Sequence, residues 1–211
     1  MFDQSQRIWT AAGASNRARC LVLGWILLAF ASTAHAGDVT VVLSDSTHSC
    51  EVQGEFAVPV AREVAWAVLS DYDHIADFVT SMVSSRAERG SDGSLRVHQE
   101  ATGRAMMLTR RVHVVLETRE ESFKRIAFTD VLAKDFTSYA GEWLIVPMPE
   151  STSVYVTYHL AAEPKGTMAR LFCRGVMRKT AQELLEQVRA EMLRRDSAAK
   201  AEGLRRGPKG C

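Results

Sequence analysis

The residues able to do chemistry are scattered along the chain. His98, His113 and His159 fall on three alternating segments. Each sits on the parity shared with polar neighbours: Arg96 and Glu100, Arg111 and Glu117, Tyr155 and Thr157. Histidines so placed face solvent and do not converge on a metal. The stretch Asp71-Tyr-Asp73-His74-x-x-Asp77 could hold an acid/base pair or a cation, since on a helix Asp73 and Asp77 stand one turn apart. The competing reading makes Asp71 a cap for the helix that follows and leaves the others in water. There is no His-Glu-x-x-His, no Gly-x-Ser-x-Gly, no phosphate loop and no Cys-x-x-Cys. No catalytic residue, metal ligand or cofactor is therefore assigned.

Two polar residues stand where apolar ones belong. Arg110 shares the parity of Met106, Leu108, Val112, Val114 and Leu116, and Gln99 shares that of Leu95, Val97 and Ala101. An inward arginine costs several kcal/mol unless it is paired. It needs Glu142, Asp130 or Glu100 as a partner, or a polar ligand group to orient. A bulge that turns Arg110 outward is the competing reading.

These residues need elements to position them. Cys50–Val58 alternates, with Cys50, Val52, Gly54, Phe56 and Val58 against Glu51, Gln53 and Glu55, which is a half-buried strand ended by Pro59. Val60–Asp71 and Tyr72–Val79 carry helical spacing. Six further strands are expected: Met82–Arg89, Leu95–Ala101, Met106–Leu116, Phe123–Leu132, Tyr139–Met148 and Ser153–Ala162. Gly90-Ser-Asp-Gly93 supplies one of the turns. Thr167–Arg195 lacks proline and carries Cys173, Met177, Ala181, Leu184, Val188 and Met192 on one stripe. Met168, Leu171, Phe172 and Val176 form a second face on its first two turns. A strand, two small helices, six strands and a long helix make an α+β, helix-grip pattern. In it a curved antiparallel sheet wraps the last helix and can leave a cavity.

The chain has 211 residues, 26 of them Lys or Arg and 25 Asp or Glu. Residues 1–36 read as a signal peptide. Arg7, Arg17 and Arg19 precede the apolar run Cys20–Phe30, which is too short for the roughly 20 residues of a membrane span, and Ala34-His-Ala36 follows. Removing three arginines and one aspartate leaves 23 basic and 24 acidic residues. The near-neutral balance gives no reason for a nucleic-acid partner. The expected protein is exported, periplasmic or secreted. Its domain is 37–195, with a flexible charged tail over 196–211.

Phe56-Ala-Val-Pro-Val60, Val64-Ala-Trp66-Ala-Val68-Leu69-Ser70-Asp71-Tyr72, Phe78-Val79, Ser85-Arg86, Gly141-Glu-Trp143 and Val154-x-Val156-x-Tyr158-x-Leu160 stand in order before the long helix. In these the chain resembles the START-like polyketide cyclase/dehydrase and lipid-transport (SRPBCC) superfamily, which includes coenzyme Q-binding START-domain proteins. The resemblance spans roughly residues 50–195. It implies a cavity for a hydrophobic molecule, a lipid or quinone-like compound, with Trp143, Tyr139, Tyr158, Phe128, Met106 and Leu108 as lining beside Arg110 and Gln99. The superfamily has no common catalytic motif. A cyclase or dehydrase acting on a hydrophobic carbonyl compound stays open, as does an interaction module with a vestigial cavity. A transient membrane contact and a homodimer also stay open. In a helix-grip fold, Cys50 on the first strand comes near Cys173 at the start of the last helix. They are either bridged or two buried thiols, and Cys211 is left over.

Overall fold

The computed structural model describes residues 38–45, 49–105, 108–166 and 177–206; the side chains of 45, 104–105, 108–110 and 206 are excepted. The expected leader, Met106 and Cys173 lie outside them. So do the side chains of Leu108 and Arg110 and the second apolar face at Met168, Leu171, Phe172 and Val176.

Eight strands form one sheet: β1 (Thr40–Asp45), β2 (Cys50–Val58), β3 (Met82–Arg89), β4 (Leu95–Ala105), β5 (Leu108–Glu121), β6 (Arg125–Asp130), β7 (Phe136–Pro147) and β8 (Val154–Pro164). Their spatial order is β1-β2-β8-β7-β6-β5-β4-β3, and every neighbouring pair is antiparallel. Helix α1 (Arg62–Leu69), a 3-10 turn (Tyr72–His74) and the short α2 (Ile75–Phe78) follow β2. Helix α3 (Arg178–Arg206) follows β8. The first strand read from the sequence, β2, pairs with the last, β8, as a helix-grip sheet requires.

Period-two patterning explains the centre of the sheet. Val52 stands opposite Leu160, Phe56 opposite Val156 and Val58 opposite Val154, and all six are buried. Their odd-numbered neighbours on β2 are mostly exposed. Onto this face α3 lays Ala181, Leu185, Val188 and Met192, spaced four, three and four residues apart. The helix comes so close that a β-carbon on Gly54 would collide with Leu185 Cδ1. A larger residue there would have to turn the Leu185 methyl aside.

Several boundaries differ from the sequence reading: β4 runs on to Ala105, β5 to Glu121, β7 starts at Phe136 and α1 is confined to Arg62–Leu69. Thr40–Asp45 is an eighth strand; only Val41 of its two adjacent valines is buried, and Val42 faces out at the sheet edge. Phe123 is no strand residue. It takes φ 63° in the turn before β6, and its ring centroid lies 5.8 Å from that of Trp66. Helix α3 runs on to Arg206 through the stretch expected to fray. There Lys200 pairs with Asp196 at 2.6 Å and the Ser197 hydroxyl donates to the Leu193 carbonyl, both one turn apart. Among the described residues, no helix is long and apolar enough to cross a membrane.

Glu191 holds two arginines of α3, of which Arg195 also donates to the Ala67 carbonyl on α1 at 3.2 Å. Its buried carboxylate accepts two bonds from Arg194 (2.6 and 2.7 Å) and one from Arg195 (2.7 Å). The hydrogen bonds from Arg194 lead in holding its pKa down, at about 2 against an ordinary 4.5. The folded-state value is the lower one. The stability it contributes is therefore present above about pH 4.5 and is lost as pH falls toward 2. Arg194 is mostly exposed, so the effect is about 1–2 kcal/mol. Urea melts between pH 2 and 7 check this: Glu191→Gln should flatten the acid limb, and an unchanged limb would place the loss elsewhere.

Candidate functional site

The sheet, the short helices and α3 line a cavity of about 120 Å³. Strands β4 to β8 each present inward residues to it. Gln99, Thr118, Phe128, Tyr139, Trp143 and Tyr158 give the wall its polar and aromatic character. Helix α3 adds Leu184 and Val188. The segment between α1 and β3 adds Tyr72, Ile75, Phe78 and Val79. Every described lining residue is uncharged.

The aromatic groups brace one another. Trp143 and Tyr158 have ring centroids 4.4 Å apart, and Phe128 lies 6.2 Å from Tyr139 and 6.4 Å from Tyr158. Such offset and tilted contacts hold rings rigidly in place. Gly141 on β7 makes room for this arrangement. A β-carbon there would strike the His159 carbonyl oxygen and come 2.7 Å from the edge of the Phe128 ring.

The hydroxyls of Tyr139 and Tyr158 hydrogen-bond each other. Burial pushes the Tyr139 phenol up to about 12 and raises Tyr158 well above its ordinary value. Both are neutral at any physiological pH. The pair uses one of its two hydroxyl hydrogens, so the other is available to a ligand acceptor. Gln99 donates from Nε2 to the Ser85 hydroxyl at 3.3 Å, directly across the β3–β4 ladder. Its second amide hydrogen and its carbonyl remain to face the cavity. The Thr118 hydroxyl donates to the Leu116 carbonyl at 3.3 Å. The site can thus offer a ligand aromatic surface and a few neutral donors.

Removing one tyrosine hydroxyl should cost more than removing both. Tyr158→Phe strands its partner in an apolar wall, for about 1–3 kcal/mol, whereas the double change to phenylalanine leaves nothing unpaired. Chemical denaturation of the two single variants and the double variant measures the coupling. Strictly additive losses would show that the bond contributes nothing.

Of the expected lining residues, Gln99, Phe128, Tyr139, Trp143 and Tyr158 come together here, while Met106, Leu108 and Arg110 fall outside the described side chains. The β4–β5 register runs without a shift from Leu95↔Thr118 to Ala105↔Leu108, with Arg110 opposite Gly103. Strand β5 therefore contains no bulge between Arg110 and Leu116. Each carboxylate considered as a partner for Arg110 is engaged by another group. Glu100 meets Arg111 at 2.6 Å and Glu142 meets Arg125 at 2.6 Å. Asp130 accepts the backbone N–H groups of Val115, Leu132 and Ala133. Sequence reasoning misses the wall from the short helices, although Ile75 and Phe78 carry helical spacing.

The other candidates take structural places. Asp71 makes no cap. It meets His74 Nδ1 at 2.6 Å and Arg195 at 2.9 Å, and Asp73 accepts the Ala87 N–H at 2.7 Å. His98 lies at the surface 3.5 Å from Glu88, and His113 lies 3.7 Å from Glu100. Among the described residues no group of histidine, cysteine or acidic side chains could hold a metal. Cys50 is fully buried and disulfide-bonded. A larger hollow of about 430 Å³ lies beside Glu88, Arg96 and His98. It is bordered by exposed charges and half-exposed Val131 and Leu132, and it lacks the enclosing aromatic wall of the first.

The fold is shared with solved structures. An aromatase/cyclase, Zhui, from Streptomyces sp. R1128 superposes with a TM-score of 0.59 at 14% identity, over 70% of this chain and 96% of its own. TTHA0849 from Thermus thermophilus gives 0.57 at 20% identity, over 68% and 97%. A STAR-related lipid transfer protein fragment from Xanthomonas axonopodis gives 0.54 at 15% identity, over 74% and 93%. No curated protein sequence matches the chain. At these identities the neighbours establish the helix-grip fold alone. The family model for polyketide cyclase / dehydrase and lipid transport matches residues 49–193, which is most of the chain and contains every described lining residue. The chain belongs to the polyketide cyclase / dehydrase and lipid transport family.

Proposed function

We propose that this chain is an exported START-like protein that binds an uncharged hydrophobic molecule, a lipid or quinone-like compound, in the cavity between sheet and α3. The observation that carries the reading is the lining itself: five aromatic side chains from the sheet and α2, neutral donors at Gln99 and the Tyr139–Tyr158 pair, and no charged group among the described residues. A carboxylate or phosphate head would be desolvated there without a counter-charge, while a carbonyl or hydroxyl oxygen would find a donor. Family membership supports a hydrophobic ligand. Export is supported by the basic start, the short apolar run and Ala34-x-Ala36. The disulfide at Cys50 fits an oxidising compartment, and we assign Cys173 as its partner.

Titration with the neutral fluorophore N-phenyl-1-naphthylamine tests the binding reading. Saturable one-to-one binding, displaced by neutral quinones more readily than by fatty-acid anions, is expected. Absence of binding, or preference for the anions, would refute it. Peptide mapping without reductant decides the Cys50–Cys173 pairing.

A further inference from the structure

Two of the described walls are held by extensive packing. The sheet is held by continuous antiparallel ladders, and α3 is anchored by buried Leu185, Val188 and Met192. The third wall is different. Between Asp71 and Met82 the chain makes only a three-residue 3-10 turn and a four-residue helix, neither with a fully buried residue, and Val79 after them is the segment's one buried side chain. Yet Tyr72, Ile75, Phe78 and Met82 from this segment close the cavity.

Polar side chains hold the segment down at both ends. At its end, the Gln187 amide on α3 grips Thr80 twice: Oε1 accepts the Thr80 N–H at 3.0 Å and Nε2 donates to the Thr80 hydroxyl at 2.9 Å. At its start, Arg195 on α3 meets Asp71 at 2.9 Å and spreads its guanidinium 5.8 Å from the centre of the Phe78 ring. The Tyr72 hydroxyl donates to Glu120 on β5 at 2.6 Å. All of these links are exposed or half-exposed, so water can replace each at small cost.

The size of the cavity also limits what it can hold. Its volume of about 120 Å³ suits a single ring, whereas pockets for drug-sized ligands run from about 300 to 1,000 Å³. A larger molecule fits inside only if a wall yields. Among the described walls, the one held by short helices and solvent-exposed side-chain bonds yields first.

We infer that Asp71–Met82 is the cavity's door, latched to α3 by Gln187 and Arg195. The inference rests on the proposed ligand binding and adds the route of entry. Ligand passes between the short helices and α3 when the Gln187–Thr80 and Arg195–Asp71 contacts part, while the sheet stays intact.

The test is the double variant Asp71→Asn, Gln187→Ala, neither residue being part of the lining. In stopped-flow mixing with N-phenyl-1-naphthylamine, association and dissociation should both quicken about tenfold, with the Kd shifting much less, because a latch governs passage and not contact. Amide hydrogen exchange over 72–80 should accelerate about tenfold while β7 and β8 keep their protection. Unchanged rates, or weaker binding at an unchanged association rate, would overturn the door. If the unaltered chain binds no probe, the binding reading fails alone. Hydrogen exchange then decides the latch, and unaltered exchange over 72–80 in the double variant refutes it.

Discussion

Gly141→Ala should unfold the domain at a temperature about 6–12 °C lower, a loss of about 3 kcal/mol or more. The added methyl would meet the His159 carbonyl oxygen, lie 2.7 Å from Phe128 and 3.1 Å from the Leu160 α-carbon. Two of these three are backbone atoms of β8, so no rotamer change relieves the contact. Either β7 and β8 separate, breaking the ladder through Gly141↔Leu160, or Phe128 swings into the cavity. Gly203→Ala is the matched control. That glycine lies in α3 with open space where its β-carbon would be, and replacement there should stabilise by up to about 1 kcal/mol. Thermal melts of both variants check the pair. Equal behaviour would mean that the β7–β8 approach is looser than described.

Leu184→Trp should abolish ligand binding, by at least about a hundredfold in affinity, and leave the fold standing. Leu184 is half-buried on α3 and faces the cavity. An indole there grows into about 120 Å³ of free space and not into packed core. Overpacking of a filled core costs about 1–3 kcal/mol; growth into a void costs less. Binding by probe fluorescence and stability by urea titration should therefore separate. Unimpaired binding in this variant would put the ligand somewhere else, such as the hollow beside Arg96 and His98.

Much of this architecture is legible in the sequence because local period and tertiary burial agree. Val52, Phe56 and Val58 announce the inward face of β2, and their partners on β8 announce the same face from the other side. Gln99 reads as a polar residue on an apolar parity, and it lines the cavity. Phe123 is illegible for the opposite reason. An aromatic residue is a poor choice for φ 63°, and what compensates is a contact with Trp66, far away in sequence. Asp71 resembles a cap because its neighbours allow one. Its carboxylate is drawn away by Arg195 on the last helix, which no local pattern records. The same holds for Ile75 and Phe78. Their helical spacing is visible, but which surface they close depends on where α3 crosses the sheet.

Native mass spectrometry of the full chain purified from its own host tests the central claim most directly. A single uncharged hydrophobic adduct at one-to-one stoichiometry is expected, present on the unaltered protein and missing from Leu184→Trp. A chain that carries no adduct and takes up no neutral hydrophobe, or an adduct retained in full by Leu184→Trp, would contradict it.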